Sequence, residues 1–352
     1  MVSDNLTADG RLRHLMRRGC DFLGTEVALL GGAMSWVSER NLVAAISNAG
    51  GFGVIACGSM TPDLLTAEIA ATQALTTKPF GVNLITMHPD LDALIDVCIA
   101  AKVGHVVLAG GLPSGTSIKR IKEAGAKVIC FAPALVIAKR LLKQGADALV
   151  IEGAEAGGHI GPVSTSVLVQ EILPSVSDVP VFVAGGIGRG EAIVSYLEMG
   201  AAGCQLGTRF VCATESIAHE NFKKAFIKAS ARDAVPTVQL DARLPVIPVR
   251  ALVNEGTKLF MEAQRLVAAR LDKEDLSPKE AQLEIEHWWA GALRRAVIDG
   301  DVENGSLMAG QSVGMVTREE PVADIINDLM DQARNALAKR MGLAPAETSG
   351  AA

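Results

Sequence analysis

One unit recurs along the first 210 residues: a short β-branched run, a glycine or polar loop, and an amphipathic segment of helical length. Strands that alternate with helices favour parallel pairing, because each helix carries the chain back to the start of the next strand. Eight such units in about 200 residues predict an α/β fold, a closed (β/α)8 TIM barrel rather than an open sheet. The predicted strands are residues 27–30, 53–56, 80–85, 105–108, 127–131, 148–151, 181–184 and 203–206.

The strand–helix pattern stops after residue 215, where long charged helices take over. We expect residues 1–215 and 300–352 to form the barrel and residues 216–299 to form a mainly helical substrate-binding insertion over its mouth. No low-complexity linker separates the two parts, so we expect them to be closely docked. The helices predicted in this half of the chain cover residues 217–232, 251–271, 278–299 and 321–341.

Charge, cysteines and histidines exclude several classes of protein. The 352 residues carry a net charge of −6, which argues against a nucleic-acid-binding surface. The six cysteines lack paired spacing, which is typical of a reduced, cytoplasmic protein, and no stretch reaches the roughly 20 apolar residues of a membrane span. No histidine pair has metal-ligand spacing with a carboxylate, so we expect no catalytic metal.

One histidine lies in a glycine-dense loop directly after the sixth predicted strand, in the stretch ALVIEGAEAGGHIGP at residues 148–162. Active sites of parallel barrels lie at the carboxyl ends of the strands. Glycine lets the backbone approach a ligand closely, and an imidazole there exchanges protons near neutral pH. We therefore predict His159 as the catalytic residue, with a purely structural histidine as the alternative.

Two glycine-bearing loops predict a phosphate site: VAGGIGRG after the seventh strand and QLGTRF after the eighth. In (β/α)8 barrels these loops commonly bind phosphate through backbone amides and a helix N-terminus. The candidate contacts are Gly185, Gly186, Gly207 and Thr208. Ordinary tight turns are the alternative interpretation.

Two other segments carry candidate contacts. After the first strand, the segment GGAMSWVS places Gly32 and Ala33 where a flat ring is able to lie against the backbone, whereas Met34 and Trp36 are more typical of core residues. Asn83 lies within a buried strand, and a buried amide must be hydrogen-bonded. It therefore either braces the barrel or contacts the edge of a ligand, and we favour the ligand.

The motifs EAGGH at 155–159, AGGI at 184–187 and QLGTRF at 205–210 together resemble the nitronate monooxygenase (2-nitropropane dioxygenase) family, whose relatives include flavin-dependent enoyl-acyl carrier protein reductases. The resemblance covers nearly the whole chain and implies a (β/α)8 barrel that holds non-covalent FMN, with His159 as the catalytic histidine. It implies FMN contacts at Asn83, Glu152, Gly157, Gly186, Gln205, Leu206, Gly207 and Thr208. The remaining candidates for the cofactor site are Gly32, Ala33, Met34, Gly158 and Gly185.

Glu152 departs from the pattern of the monooxygenases, many of which carry glutamine at this position. A negative charge near the flavin would disfavour the anionic reduced ring. Glu152 and the segment GDVENGSLMAGQ at 300–311 resemble the reductase branch more closely.

The resemblance implies two main functions. The first is nitronate monooxygenase activity, in which alkyl nitronates or nitroalkanes react with molecular oxygen to give carbonyl compounds and nitrite, in a small pocket lined by Met34, Trp36 and Met308. The alternative is a relay in which NAD(P)H reduces FMN, the flavin reduces an enoyl thioester or a quinone, and His159 supplies the proton. We rank the oxidation first.

Delivery of an enoyl group by acyl carrier protein, which is acidic, would require a basic docking patch. Inosine monophosphate dehydrogenase, another barrel with such phosphate loops, needs a cysteine nucleophile, and residues 153–162 contain none. A barrel kept as a scaffold would be expected to lose the glycine loops or His159. Either a monomer or a homodimer is compatible with the sequence. The arginines available for a basic patch are Arg243, Arg250, Arg265, Arg270, Arg294 and Arg295, among interleaved acidic residues.

Overall fold

The computed structural model describes residues 7–344 except 242, 244–246 and 274. Eight parallel strands form a nearly closed barrel, which confirms the predicted fold class. The bridge from Leu30 to Phe52 brings the two ends of this sheet together. The barrel strands, in their order around the sheet, are β1 (Leu29–Gly31), β9 (Gly203–Leu206), β8 (Val181–Ala184), β6 (Ala148–Glu152), β5 (Lys127–Phe131), β4 (His105–Ala109), β3 (Phe80–Ile85) and β2 (Gly53–Ala56).

Helices follow the barrel strands as the repeated unit predicts. They pack on the outside of the sheet, where alternate strand residues meet their apolar faces in the larger core cluster. The outer helices are α2 (Arg40–Asn48), α3 (Pro62–Leu75), α4 (Leu91–Ala100), α5 (Gly115–Glu123), α6 (Leu135–Lys143), α7 (Thr165–Ile172), α8 (Gly190–Glu198) and α12 (Val322–Arg340).

A helix that the repeated unit did not predict, α1 (Ala8–Leu23), precedes the barrel. Its Phe22 ring packs edge-on against the buried His105 at 5.4 Å between centroids, and the backbone oxygen of Phe22 lies 3.0 Å from the His105 ring nitrogen. Phe22 also contacts Phe182 of the barrel interior. Because His105 starts β4, α1 covers the amino-terminal end of the barrel and leaves the opposite end for a site.

The second half of the chain adds helices and a small antiparallel sheet. Strand β11 (Val249–Leu252) pairs on one edge with β10 (Ala234–Pro236). On its other edge it pairs with β12 (Leu307–Met308) and with β7 (Gly158–His159), a short strand in the loop that follows β6. The helices of this part are α9 (Glu220–Lys228), α10 (Glu255–Asp272) and α11 (Pro278–Val297).

This small sheet connects the insertion to the His159 loop, because β7 belongs to the loop while β11 comes from the insertion. The helix predicted at 217–232 is shorter in the structure, since the chain after α9 turns into β10. Within the part of the chain that the structure describes, no helix combines the length and the apolarity needed to cross a membrane. The division into domains at residues 215 and 300 stays a prediction.

The close packing of α8 against α12 allows a first prediction about stability. A Cβ at Gly190 would overlap the backbone of Leu329 and Ala333 on α12, whereas a Cβ at Gly104 would meet no atom within 4 Å. We expect Gly190→Ala to lower the free energy of unfolding by about 1–3 kcal/mol or more, because two packed backbones must separate. Gly104→Ala is the matched control, and urea unfolding of both variants measures the difference. Equal stabilities would contradict the packing.

Candidate active site

Three polar side chains point into the barrel near the carboxyl ends of their strands. On β3 the two neighbours of Asn83 pack outward in the larger core cluster, so Asn83 faces inward, and the same alternation turns Gln205 inward on β9. Glu152 ends β6 and pairs in register with Ala184, which pairs in turn with Gln205. Glu152 and Gln205 therefore lie on two strands, β6 and β9, that are separated only by β8.

Hydrogen bonds within the protein leave these side chains incompletely paired. Asn83 donates from Nδ2 to the backbone oxygen of Val107 at 3.3 Å, so its amide braces β3 against β4. Among the described residues, no group donates to Asn83 Oδ1 and none bonds the side chains of Glu152 or Gln205. Asn83 and Gln205 are buried and Glu152 is partly buried, so their free polar atoms are available to a polar ligand.

Burial changes the charge of Glu152. Desolvation raises the pKa of its carboxyl from the ordinary 4.5 to about 8. At pH 7 the group is therefore mainly protonated and able to donate a hydrogen bond. The electrostatic repulsion of a reduced flavin, which the sequence led us to expect, requires the carboxylate and so does not apply below about pH 8.

The backbone of His159 is held by β7, where it pairs with Val249 of β11. Its side chain remains 40% exposed, which leaves the ring accessible. Its Nε2 lies 3.1 Å from Oε2 of Glu286 on α11, whose side chain is 25% exposed. The imidazole is therefore flanked by a carboxylate that comes from the insertion.

Sequence reasoning missed Glu286. It lies 127 positions after His159 in a helix whose charged residues look like an ordinary solvated face. No local spacing or motif connects it with the histidine loop. Only the pairing of β7 with β11 and the placement of α11 bring the two side chains together.

The two predicted phosphate loops lie at the ends of neighbouring strands, as expected from the sequence. Gly185 and Gly186 have φ values of 98° and 72°, a backbone region that favours glycine. No described group accepts a hydrogen bond from the backbone N–H of Gly186, Gly207 or Thr208. Successive free N–H groups at a turn are suited to binding an anion.

Packing alone explains three of the candidate glycines, and at Gly186 a Cβ would lie 2.8 Å from Glu155 Cβ. A Cβ at Gly185 would lie 2.9 Å from Thr165 Oγ1, and one at Gly157 would lie 2.5 Å from the backbone nitrogen of Gly310. All three contacts are with protein atoms, so these positions require glycine whether or not a ligand is bound. Gly158 has a φ of 76°. A Cβ added at this position would have Met308 Sδ as its nearest atom, at 3.6 Å, so packing leaves room for it.

The QLGTRF segment contributes to the site in different ways. The Leu206 side chain is buried in the outer cluster, so only its backbone faces the mouth. The Thr208 hydroxyl accepts a hydrogen bond from the Gly310 N–H at 2.9 Å, which fastens the returning chain to the rim. Arg209 turns away to Glu320, with 2.8 Å between Nη1 and Oε1, and is therefore occupied by an internal ion pair.

The loop after β1 also reaches this rim. A Cβ on Gly32 would lie 3.4 Å from Gly207 Cα, and one on Gly207 would lie 3.4 Å from Met34 Sδ. These distances allow ordinary contact, so neither glycine is required there by packing. Ala33, Met34 and Met308 are partly buried beside the apolar cores.

Trp36 adopts an uncommon conformation in the same loop. Its φ is 67°, a left-handed value that costs a bulky residue about 1–3 kcal/mol. Its indole Nε1 is buried without a partner among the described groups, and the Arg294 guanidinium lies 5.7 Å from the centre of its ring system. Strained residues with unpaired donors are typical of binding sites.

Together these groups suit a flat heterocycle with hydrogen-bonding edges and a phosphate, as FMN has. The polar interior side chains match the edges of such a ring, and the free amides of the two loops match the phosphate. Among the described residues, no cluster of three or more histidine, cysteine or acidic side chains is placed to hold a metal ion.

The fold is that of a (β/α)8 barrel, and the family it belongs to is one of oxidoreductases. A sequence model of the family described as nitronate monooxygenase matches residues 17–97 and 90–332. The chain belongs to the nitronate monooxygenase family, which includes FabK-like enzymes.

Three relatives span nearly the whole chain. The (3aS,4S,5R,7aS)-5-hydroxy-7a-methyl-1-oxo-octahydro-1H-indene-4-carboxyl-CoA dehydrogenase of Mycobacterium tuberculosis is 31% identical over 339 residues, covering 88% of this chain and 94% of that protein. The nitronate monooxygenase of Paraburkholderia phytofirmans is 28% identical, covering 87% and 92%. The structure of FabK from Thermotoga maritima matches with a TM-score of 0.82 and 38% identity, covering 92% and 98%.

The raised pKa of the Glu152 carboxyl should make the stability of the protein depend on pH. Because its pKa is about 8 in the folded chain and near 4.5 in the unfolded chain, the folded chain holds a proton that the unfolded chain releases between these pH values. The free energy of unfolding therefore falls as pH rises through this window. The free energy of unfolding of Glu152→Gln should therefore exceed that of the wild type by an amount that grows by a few kcal/mol as pH rises from 5 to 8. Urea unfolding of flavin-free protein measures this gain, and a pH-independent difference would contradict the raised pKa.

Proposed function

We propose that this protein is an FMN-dependent oxidoreductase that reduces the carbon–carbon double bond of an enoyl thioester, with NAD(P)H as the electron donor. One observation carries the proposal: at the mouth of the barrel, the exposed His159 has its Nε2 3.1 Å from the carboxylate of Glu286. Such a site is equipped to hold and deliver protons, which a reduction requires at every turnover.

When bound, FMN would supply the transfer of two electrons from the nicotinamide to the substrate. Asn83, Glu152 and Gln205 would hold the edge of its ring, and the N–H groups of Gly186 and Gly207 would bind its phosphate. The remaining FMN contacts stay as predicted from the sequence.

His159 would deliver the proton that completes the reduction. Overall, the substrate gains one hydride equivalent and one proton, and NAD(P)H becomes NAD(P)⁺. With Nε2 directed to Glu286, the other ring nitrogen, Nδ1, is the atom left to exchange the proton. The exposed ring regains a proton from water after each turnover.

The relatives support a thioester as the substrate. The protein of M. tuberculosis is named for a carboxyl-CoA compound, and FabK belongs to the enoyl-acyl carrier protein reductases. Both are more similar to this chain than the nitronate monooxygenase of P. phytofirmans.

Most of the arginines that could dock the acidic acyl carrier protein are already occupied. Arg250 is buried and donates to the backbone oxygens of Ala154 and Ala234, so it is not available for docking. Three more of the candidate arginines are neutralised by acidic neighbours. These ion pairs are Arg243 with Asp241 and Asp272, Arg270 with Glu284, and Arg294 with Asp299.

Nitronate oxidation with molecular oxygen is the second candidate, and the family match together with the partly buried Met34, Trp36 and Met308 favours it. It needs little beyond a small apolar pocket, because a nitronate is already deprotonated. Against it, Glu286 lies beside the imidazole that would attract the anion, and its negative charge weakens that attraction.

Anaerobic stopped-flow absorbance separates the two functions. The oxidised flavin absorbs near about 450 nm, and we expect NADH or NADPH to bleach this band rapidly. Addition of an enoyl-CoA should then restore the band, because the substrate removes the electrons. A propyl nitronate should leave the band of the oxidised protein unchanged.

Bleaching by the nitronate but not by either nicotinamide would overturn the reductase proposal in favour of nitronate oxidation. If NAD(P)H bleaches the band and a quinone restores it while an enoyl-CoA does not, electron transfer from NAD(P)H through FMN would stand. The substrate would then be a quinone rather than an enoyl thioester. A protein that cannot be loaded with FMN would contradict both functions.

A further inference from the structure

We propose that Glu286 of the insertion is the positioning residue of His159, so that the active histidine is completed by a side chain from outside the barrel. The proposal deepens the proposed function, since the proton delivered by His159 is the step that Glu286 would support. Its geometric part does not depend on the identity of the substrate.

Strand β11 of the insertion holds the backbone of His159 but not its ring. Pairing of β7 with β11 fixes the main chain through the His159–Val249 and Gly158–Arg250 pairs, and the Ile160 N–H donates to the Pro248 oxygen at 2.9 Å. The imidazole itself is 40% exposed, and its described polar contact is with Glu286. A half-exposed ring without a partner samples several rotamers, so the carboxylate is what selects one of them.

Glu286 is placed firmly enough to do this. The adjacent Ile285 is buried with Trp289 and Phe260, whose ring stacks on Trp289 with 4.1 Å between centroids. This cluster anchors the middle of α11. The Glu286 side chain is therefore carried on a packed segment of helix and is itself only 25% exposed.

The other acidic residues on this part of α11 have different partners. Glu280 caps the helix by accepting from Ser277, and Glu284 forms an ion pair with Arg270. Within the described ranges, no lysine or arginine pairs with Glu286, and the imidazole of His159 is the group beside its carboxylate. A partly buried carboxylate directed at a histidine rather than at a strong cation is poised to orient that histidine.

The contact defines the roles of the two ring nitrogens. A carboxylate only accepts hydrogen bonds, so a proton on Nε2 would face Oε2 of Glu286, which lies 3.1 Å from that nitrogen. Nδ1 is then the nitrogen that gains and loses the transferred proton. This arrangement follows the logic of a catalytic histidine oriented by an acidic side chain, with the carboxylate itself not touching the substrate.

Kinetics of the FMN-loaded enzyme test the role. Glu286→Ala should lower kcat by about tenfold or more while KM and the flavin content change little, because orientation is lost and binding is not. Glu286→Gln should retain part of the activity, since its amide oxygen still accepts from Nε2. Glu284→Gln, on the same helix, is the matched control and should keep the wild-type kcat.

A double-mutant cycle asks whether Glu286 acts through His159. If it does, Glu286→Ala should cost nothing further in a His159→Ala background, because the ring that it orients is already gone. An equal loss in both backgrounds would show that Glu286 acts independently and would overturn the proposal. Unchanged kcat in Glu286→Ala would overturn it as well, even if His159→Ala is inactive.

Nuclear magnetic resonance of the holoenzyme with ¹⁵N-labelled histidine tests the geometry without any substrate. We expect a downfield proton bonded to an imidazole nitrogen that disappears in both His159→Ala and Glu286→Ala and persists in Glu284→Gln. A spectrum of His159 that is identical with and without Glu286 would contradict the contact. If the enoyl-CoA assay shows no turnover, the proposed substrate fails while this readout still decides whether Glu286 contacts His159.

Discussion

The pairing of β1 with strands on both of its sides is the contact on which the rest of the barrel depends. Leu30 of this short strand is in register with Gln205 of β9 and forms the bridge to Phe52 beside β2. Because all barrel strands are parallel, closure brings every strand-to-helix loop to one rim. Side chains as distant in sequence as Asn83 and Gln205 thereby face the same enclosed interior.

Closure also makes the barrel interior unfavourable for a charged group. The interior is otherwise filled by apolar side chains such as Val54, Val150 and Phe182, so a carboxyl at its edge loses most of its hydration. Glu152 responds by holding its proton to about pH 8. The insertion also brings the carboxylate of Glu286 to within 3.1 Å of His159 Nε2, so the two acidic residues meet different surroundings.

The eight strands, the loops after them and the position of His159 in the loop after β6 were predictable because periodicity and glycine content are local properties of the sequence. Asn83 was also identifiable, as a polar residue in a strand that is otherwise buried. Two features were not. The charge of Glu152 depends on burial by residues from several strands, and Glu286 reaches His159 only through the docking of α11, which no local pattern encodes. The helix α1, which lies outside the repeated unit, was not anticipated either.

Fluorescence titration of flavin-free protein with FMN tests the central claim, that the unpaired polar side chains inside the barrel bind the cofactor. We predict saturable quenching at one FMN per chain for the wild type. Gln205→Leu and Glu152→Leu should bind at least about tenfold more weakly, since each loses a hydrogen bond to the ring. Unchanged affinity in both variants, or no binding by the wild type, would contradict the assignment of this interior as the flavin site.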